Sequence, residues 1–149
     1  MSKTKRGRRS KPLSEIAEHV VLPRGIVSTR WPSIREQCRS FGIEFDAWQD
    51  GVGRGVFARR ENGTYAAGIG GVVLSVPRQV GKTFLVGALS FAMCLLESDT
   101  KVIWTAHHTA TADETFTEMR NLAGQEGISS HVARIFTGAG RQIIRFHNG

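Results

Sequence analysis

No stretch of this chain reaches the roughly 20 apolar residues that a membrane helix needs. The longest apolar run, residues 84–96, is shorter and is interrupted by Gly87 and Ser90, so it reads as a buried helix. No apolar segment with a cleavage site follows the basic N-terminus, so no secretory leader is expected. Cysteine is scarce: Cys38 and Cys94 lie far apart and fit neither a metal-binding nor a redox spacing. They read as reduced intracellular thiols. Internal repeats are absent. Acidic residues stop at Glu126. A carboxylate pair that supports Mg²⁺ and activates water therefore cannot lie between Gly127 and Gly149.

What is present suits a soluble domain. The 149 residues, 40% hydrophobic and 22% charged, allow one domain with a sizeable core. The net charge of +7 is unevenly spread. Lys3, Lys5, Arg6, Arg8, Arg9 and Lys11 form a basic tail, leaving 14 basic against 13 acidic residues elsewhere. Residues 1–12 are thus expected to be a disordered tail, since like charges repel and nothing apolar is there to bury. Such a tail suits either contact with nucleic-acid phosphates or a merely solubilising role.

Along the chain, residues 13–22 carry a short helical pattern ended by Pro23. Ser33 is placed to cap a second helix running to Phe41 and stopped by Gly42. A third helix is expected over residues 45–59, weakened by Gly51, Gly53 and Gly55, with a turn at Glu61-Asn62-Gly63. Val72–Val76 and Lys101–Ala106 are apolar without alternation, the pattern of strands covered on both faces. Between them lies the apolar helix 83–96. Thr111 and Glu114 form a potential capping box for a helix with Ala112, Phe116, Met119 and Ala123 on one face, stopping near Gly124. Residues 132–136 and 142–147 read as paired strands around Gly138-Ala139-Gly140. This order predicts an α/β fold, a P-loop NTPase with a mostly parallel sheet flanked by helices and incomplete at its C-terminus.

The segment Ser75-Val76-Pro77-Arg78-Gln79-Val80-Gly81-Lys82-Thr83 has the chemistry of a phosphate loop. Such a loop needs converging backbone N–H groups, a lysine for the outer phosphates and a hydroxyl for Mg²⁺. Gly81 permits close backbone approach, Lys82 supplies the charge, and Thr83 opens the helix and is the candidate metal ligand. Val76 stands where the usual first glycine belongs. Arg78 either stabilises charge on the γ-phosphoryl group or is a solvent-facing loop residue.

An apolar strand followed by Val-Pro-Arg-Gln-x-Gly-Lys-Thr resembles the deviant phosphate loop of large terminase subunits of tailed bacteriophages. That family often lacks the first glycine and carries an arginine in the loop. Upstream, Phe45-Asp46-Ala47-Trp48-Gln49 is similar to its adenine-recognition segment. Downstream, Trp104-Thr105-Ala106-His107-His108-Thr109 with Ala112–Phe116, and then Ile143–Gly149, resemble later segments of the same ATPase domain in the same order. The resemblance covers about residues 40–149. It implies that Pro77, Arg78, Gln79, Val80, Gly81, Lys82 and Thr83 cradle ATP and Mg²⁺. Arg78 and Lys82 would act catalytically, Thr83 on the metal, and Gln49 on the adenine; alternatively, Gln49 is an ordinary polar residue.

On this reading residues 13–149 are the N-terminal part of an ATPase domain that powers packaging of double-stranded DNA into a capsid. Its partners would be a portal protein and a small terminase subunit, in a homo-oligomeric ring in the host cytoplasm, transiently at the portal. The family's acidic pair and nuclease domain lie beyond the segments matched, so the chain reads as a piece that does not turn over ATP usefully by itself. The terminal Asn148-Gly149, a hairpin-turn signal, agrees with a further strand to come. Two alternatives stand beside this one: another DNA-translocating P-loop ATPase such as a helicase, or a non-catalytic nucleic-acid-binding protein with a degenerate nucleotide fold. Gly51-Val52-Gly53-Arg54-Gly55 hints weakly at a dinucleotide loop, and His107-His108 weakly at a metal site.

Overall fold

The computed structural model describes residues 11–138 and 140–149, so the basic tail falls outside the described residues except for its last two positions. The chain divides into two compact units. One comprises the described residues through Pro32 together with Glu44–Leu74; the other comprises Ser33–Ile43 and Ser75–Gly149.

The first unit contains α1 (Leu13–Ile16), β1 (Ser28–Thr29), the first two residues of α2 (Trp31–Ser40), α3 (Ala47–Val56) and β2 (Ala58–Arg59). β1 and β2 pair antiparallel, Thr29 opposite Ala58. Trp31 is the centre of this unit, 1% exposed. Its ring stacks on Phe57 at 6.3 Å and tilts against Phe45 at 5.4 Å. Its indole N–H donates to Asp50 Oδ1 at 2.8 Å, and Arg54 Nε donates to the other oxygen at 2.8 Å.

α3 explains its own glycines. They weaken the helix by propensity, about 1 kcal/mol each, yet each admits a neighbour. Cβ atoms built at Gly51, Gly53 and Gly55 would meet Leu13, Trp31 and Leu22. Helix formation here depends on packing, not on propensity. The dinucleotide-loop reading of this segment therefore fails, because Gly51, Gly53 and Gly55 are all helical. The helix of residues 13–22 is one turn only.

The second unit holds the remainder of α2, then α4 (Lys82–Leu96), α5 (Thr109–Ala123), α6 (Glu126–Ser129), β3 (Val132–Gly138) and β4 (Arg141–Phe146). α2 ends where Gly42 takes a φ of 79°, and Gly42 N–H reaches back to Arg39 O at 2.9 Å. α4 buries Leu85, Ala88, Leu89, Phe91 and Ala92, and Gly87 brings it close to Met119 of α5. Phe91 meets Phe146 edge-on at 5.2 Å. Cys38 is fully buried, its thiol directed to Ala88 O at 3.6 Å. Gly127 lies against the backbone of Phe41. α5 starts two residues before the expected Thr111 cap, with His108 at the N-cap position.

The expected parallel-sheet P-loop fold is not what the chain forms. Among the described residues its sheets are two antiparallel pairs, β1–β2 and β3–β4. Residues 72–76 and 101–106 form no strand or helix, and Val73 and Ile103 are 95% and 85% exposed. An unbroken apolar run signals that a segment can be covered on both faces; it does not supply the neighbouring strands that would cover it. A parallel pair also needs a crossover and is weaker per residue than an antiparallel one. The β3–β4 hairpin needs only a local turn, and it forms. Asn148, in the turn that follows β4, donates from its amide to Cys94 O at 2.8 Å and Leu95 O at 3.4 Å, tying down the C-terminal carbonyls of α4. Among the described residues no helix is long and apolar enough to cross a membrane.

Candidate phosphate-binding loop

The loop before α4 lies wholly in the second unit. Pro77, Arg78, Gln79, Val80, Gly81 and Lys82 are exposed, and Thr83 is half-buried. The backbone turns through two left-handed residues, Gln79 at φ 63° and Gly81 at φ 85°. The second is natural for glycine. The first is uncommon for a residue with a side chain and costs of order 1 kcal/mol.

Gly81 is the N-cap of α4, and its carbonyl accepts from Leu85 N–H at 2.9 Å. The amides of Lys82, Thr83 and Phe84 therefore precede the first residue that has a helical acceptor. No acidic side chain lies in this first turn. The helix dipole, the free amides and Lys82 thus bring partial and full positive charge to one exposed place. Among the described residues neither Lys82 nor Arg78 is held by a carboxylate.

The structure brings together the consecutive residues Pro77 to Thr83 and places Gln49 in the first unit. Gln49 is the third residue of α3, 6% exposed, and its Oε1 accepts from Asp46 N–H at 2.9 Å as part of a capping box. A helix-start role therefore accounts for its position, and one acceptor lone pair of the amide is already engaged. Asp113 and Glu114, expected in the first turn of their helix, lie beyond it. Asp113 instead accepts from Gln142 Nε2 at 2.7 Å. His107 and His108 are exposed with ring centroids 4.3 Å apart, but among the described residues no group of three or more His, Cys, Asp or Glu side chains is arranged to hold a metal ion.

Sequence spacing gives no reason to single out Arg134, Arg141 and Arg145. Only the strand register brings them to one surface, and the signal available beforehand was the absence of any acid after Glu126. No protein-family model, curated protein or solved structure matches this chain.

Proposed function

We propose that residues 75–83 bind the triphosphate of ATP with Mg²⁺, and that the chain is the N-terminal ATPase portion of a large terminase subunit powering packaging of double-stranded DNA. The single observation that carries the reading is the exposed start of α4, where left-handed Gly81 leads into Lys82 with no acid in the first turn. In this reading the amides of Gly81 to Thr83 and the ammonium of Lys82 hold the β- and γ-phosphates. The Thr83 hydroxyl ligates Mg²⁺, and Arg78 meets charge developing on the γ-phosphoryl oxygens. The family resemblance extends this to a portal protein, a small subunit and a ring of copies as partners. The phosphate chemistry requires no parallel sheet, because an anion is held by amides, a dipole and a cation.

Binding rather than turnover is the decisive measurement. Titration of a fluorescent ATP analogue with Mg²⁺ into the chain is expected to saturate. Lys82→Ala is expected to weaken it roughly 10- to 100-fold, the effect of losing a charged hydrogen bond. No saturation at millimolar nucleotide, or equal affinity for Lys82→Ala, would refute the assignment. A second reading, a non-catalytic nucleic-acid-binding protein, is favoured by the lack of a strand leading into the loop. Its mark is salt-sensitive DNA binding without ATP affinity.

A further inference from the structure

The β3–β4 hairpin has two unlike faces. Register pairs Arg134 with Arg145, Ile135 with Ile144, Phe136 with Ile143, Thr137 with Gln142 and Gly138 with Arg141. Side chains alternate across a strand, so Ile135 and Ile144 share one face. That face leads to buried Phe146, packed on Phe91, and to Gln142, bonded to Asp113. The other face carries Arg134, Phe136, Arg141, Ile143 and Arg145, and its three arginines are exposed.

This second face is built against its own stability. Arg134 and Arg145 stand directly opposite each other, and like charges in that position repel and destabilise the pair. Among the described residues no carboxylate relieves them, and no acid occurs anywhere from Gly127 to Gly149. The guanidiniums of Arg134 and Arg141 both sit over the Phe136 ring, at 4.7 and 4.9 Å from its centroid. Cation–π attraction at this range holds them in place. Phe136 is therefore a mount for two cations, not a vacant platform on which a base would stack.

We propose that this face, with Arg134, Arg141 and Arg145 set around Phe136, docks the phosphate backbone of duplex DNA without regard to sequence. Guanidiniums without a carboxylate partner, two of them held over Phe136, match phosphates. The occupied ring disfavours single strands, whose affinity comes largely from stacking. A two-stranded ribbon fits the B-form major groove, about 12 Å wide, whereas the deep groove of A-form RNA is too narrow. The proposal deepens the packaging reading and rests on it for DNA as the natural duplex; the surface itself is independent of the nucleotide loop.

The test is fluorescence anisotropy of a short mixed-sequence duplex with the full chain, in the absence of nucleotide, across about 50 to 200 mM salt. The variant R134A/R141A/R145A is expected to lose affinity and to flatten the log–log salt slope by about 2.7, three phosphates at about 0.9 each. Its deficit then shrinks about 40-fold across that salt range. The all-lysine variant keeps the slope, and Arg39→Ala, exposed on α2, changes nothing. The basic tail is common to every variant and cancels. If the triple variant does not fold, the single Arg145→Ala is read instead, with an expected slope change of about 0.9. An unchanged slope and affinity overturn the proposal. So does a single strand of equal length bound as tightly as the duplex. Lys82→Ala is expected to leave this binding intact, so failure of the ATP site and failure of the hairpin surface are read separately.

Discussion

Replacing Gly53 by alanine isolates the packing that holds the first unit together. In an exposed helix this change is favourable by about 1 kcal/mol. Here the new Cβ would lie 2.4 Å from Cε3 and Cζ3 of Trp31 and 2.6 Å from Cη2. Ordinary contact requires the rigid indole to retreat by about 1 Å. Trp31 is 1% exposed and wedged against Phe45 and Phe57, so the retreat strains the unit, typically by 1–3 kcal/mol. It also pulls the indole N–H away from Asp50, 2.8 Å distant, and a hydrogen bond to a charged group contributes about 1.5–3 kcal/mol. Against the helix gain, a net loss of about 1.5–5 kcal/mol follows, lowering Tm by roughly 5–15 °C for a chain of this size. Thermal melting by near-ultraviolet circular dichroism, which follows the tryptophans, measures it. Gly55→Ala serves as the control in the same helix, since its Cβ would meet only the end of Leu22 at 3.3 Å. A Gly53→Ala protein that melts at or above the wild-type temperature would refute the account of Trp31.

Two further outcomes follow from the second unit. Gly127→Ala drives a Cβ to 2.7 Å from the backbone of Phe41, whereas Gly87→Ala meets the flexible thioether of Met119 at 2.5 Å and Leu122 Cδ2 at an ordinary 3.6 Å; Met119 swings aside at little cost, so the urea midpoint is expected to fall by the equivalent of about 2 kcal/mol or more for Gly127→Ala and to stay within about 1 kcal/mol for Gly87→Ala. Equal midpoints would contradict the packing described. Burial raises the Cys38 thiol from 9.0 to about 12. The folded state thus retains a proton that the unfolded chain releases, and this contribution to stability is whole below pH 9 and declines as pH rises from 9 towards 12. Urea midpoints across that range should fall with pH, and a thiol reagent at pH 8 should label half-buried Cys94 before Cys38; rapid labelling of Cys38 in the native protein would count against its burial.

Local chemistry was legible in the residues alone. Gly42 closes α2 with a positive φ, and Gly81 opens α4 in the same conformation, because only glycine takes that conformation without strain. The apolar run after Lys82 does become a buried helix, and Met119 and Ala123 do face the core of the second unit. The phosphate-loop candidates Pro77 to Thr83 are contiguous, so their proximity needed no tertiary information. What the residues could not decide was pairing. Val72–Val76 has the composition of a central strand, but hydrogen bonds to a neighbouring strand depend on which segments meet, and none pairs with it among the described residues. The same limit works in the other direction for Arg134, Arg141 and Arg145. They are scattered along the chain, and it is the hairpin register that sets them on one face around Phe136. Composition states which surfaces a segment tolerates; the partner that tertiary folding provides determines which of them is covered and which is left to water.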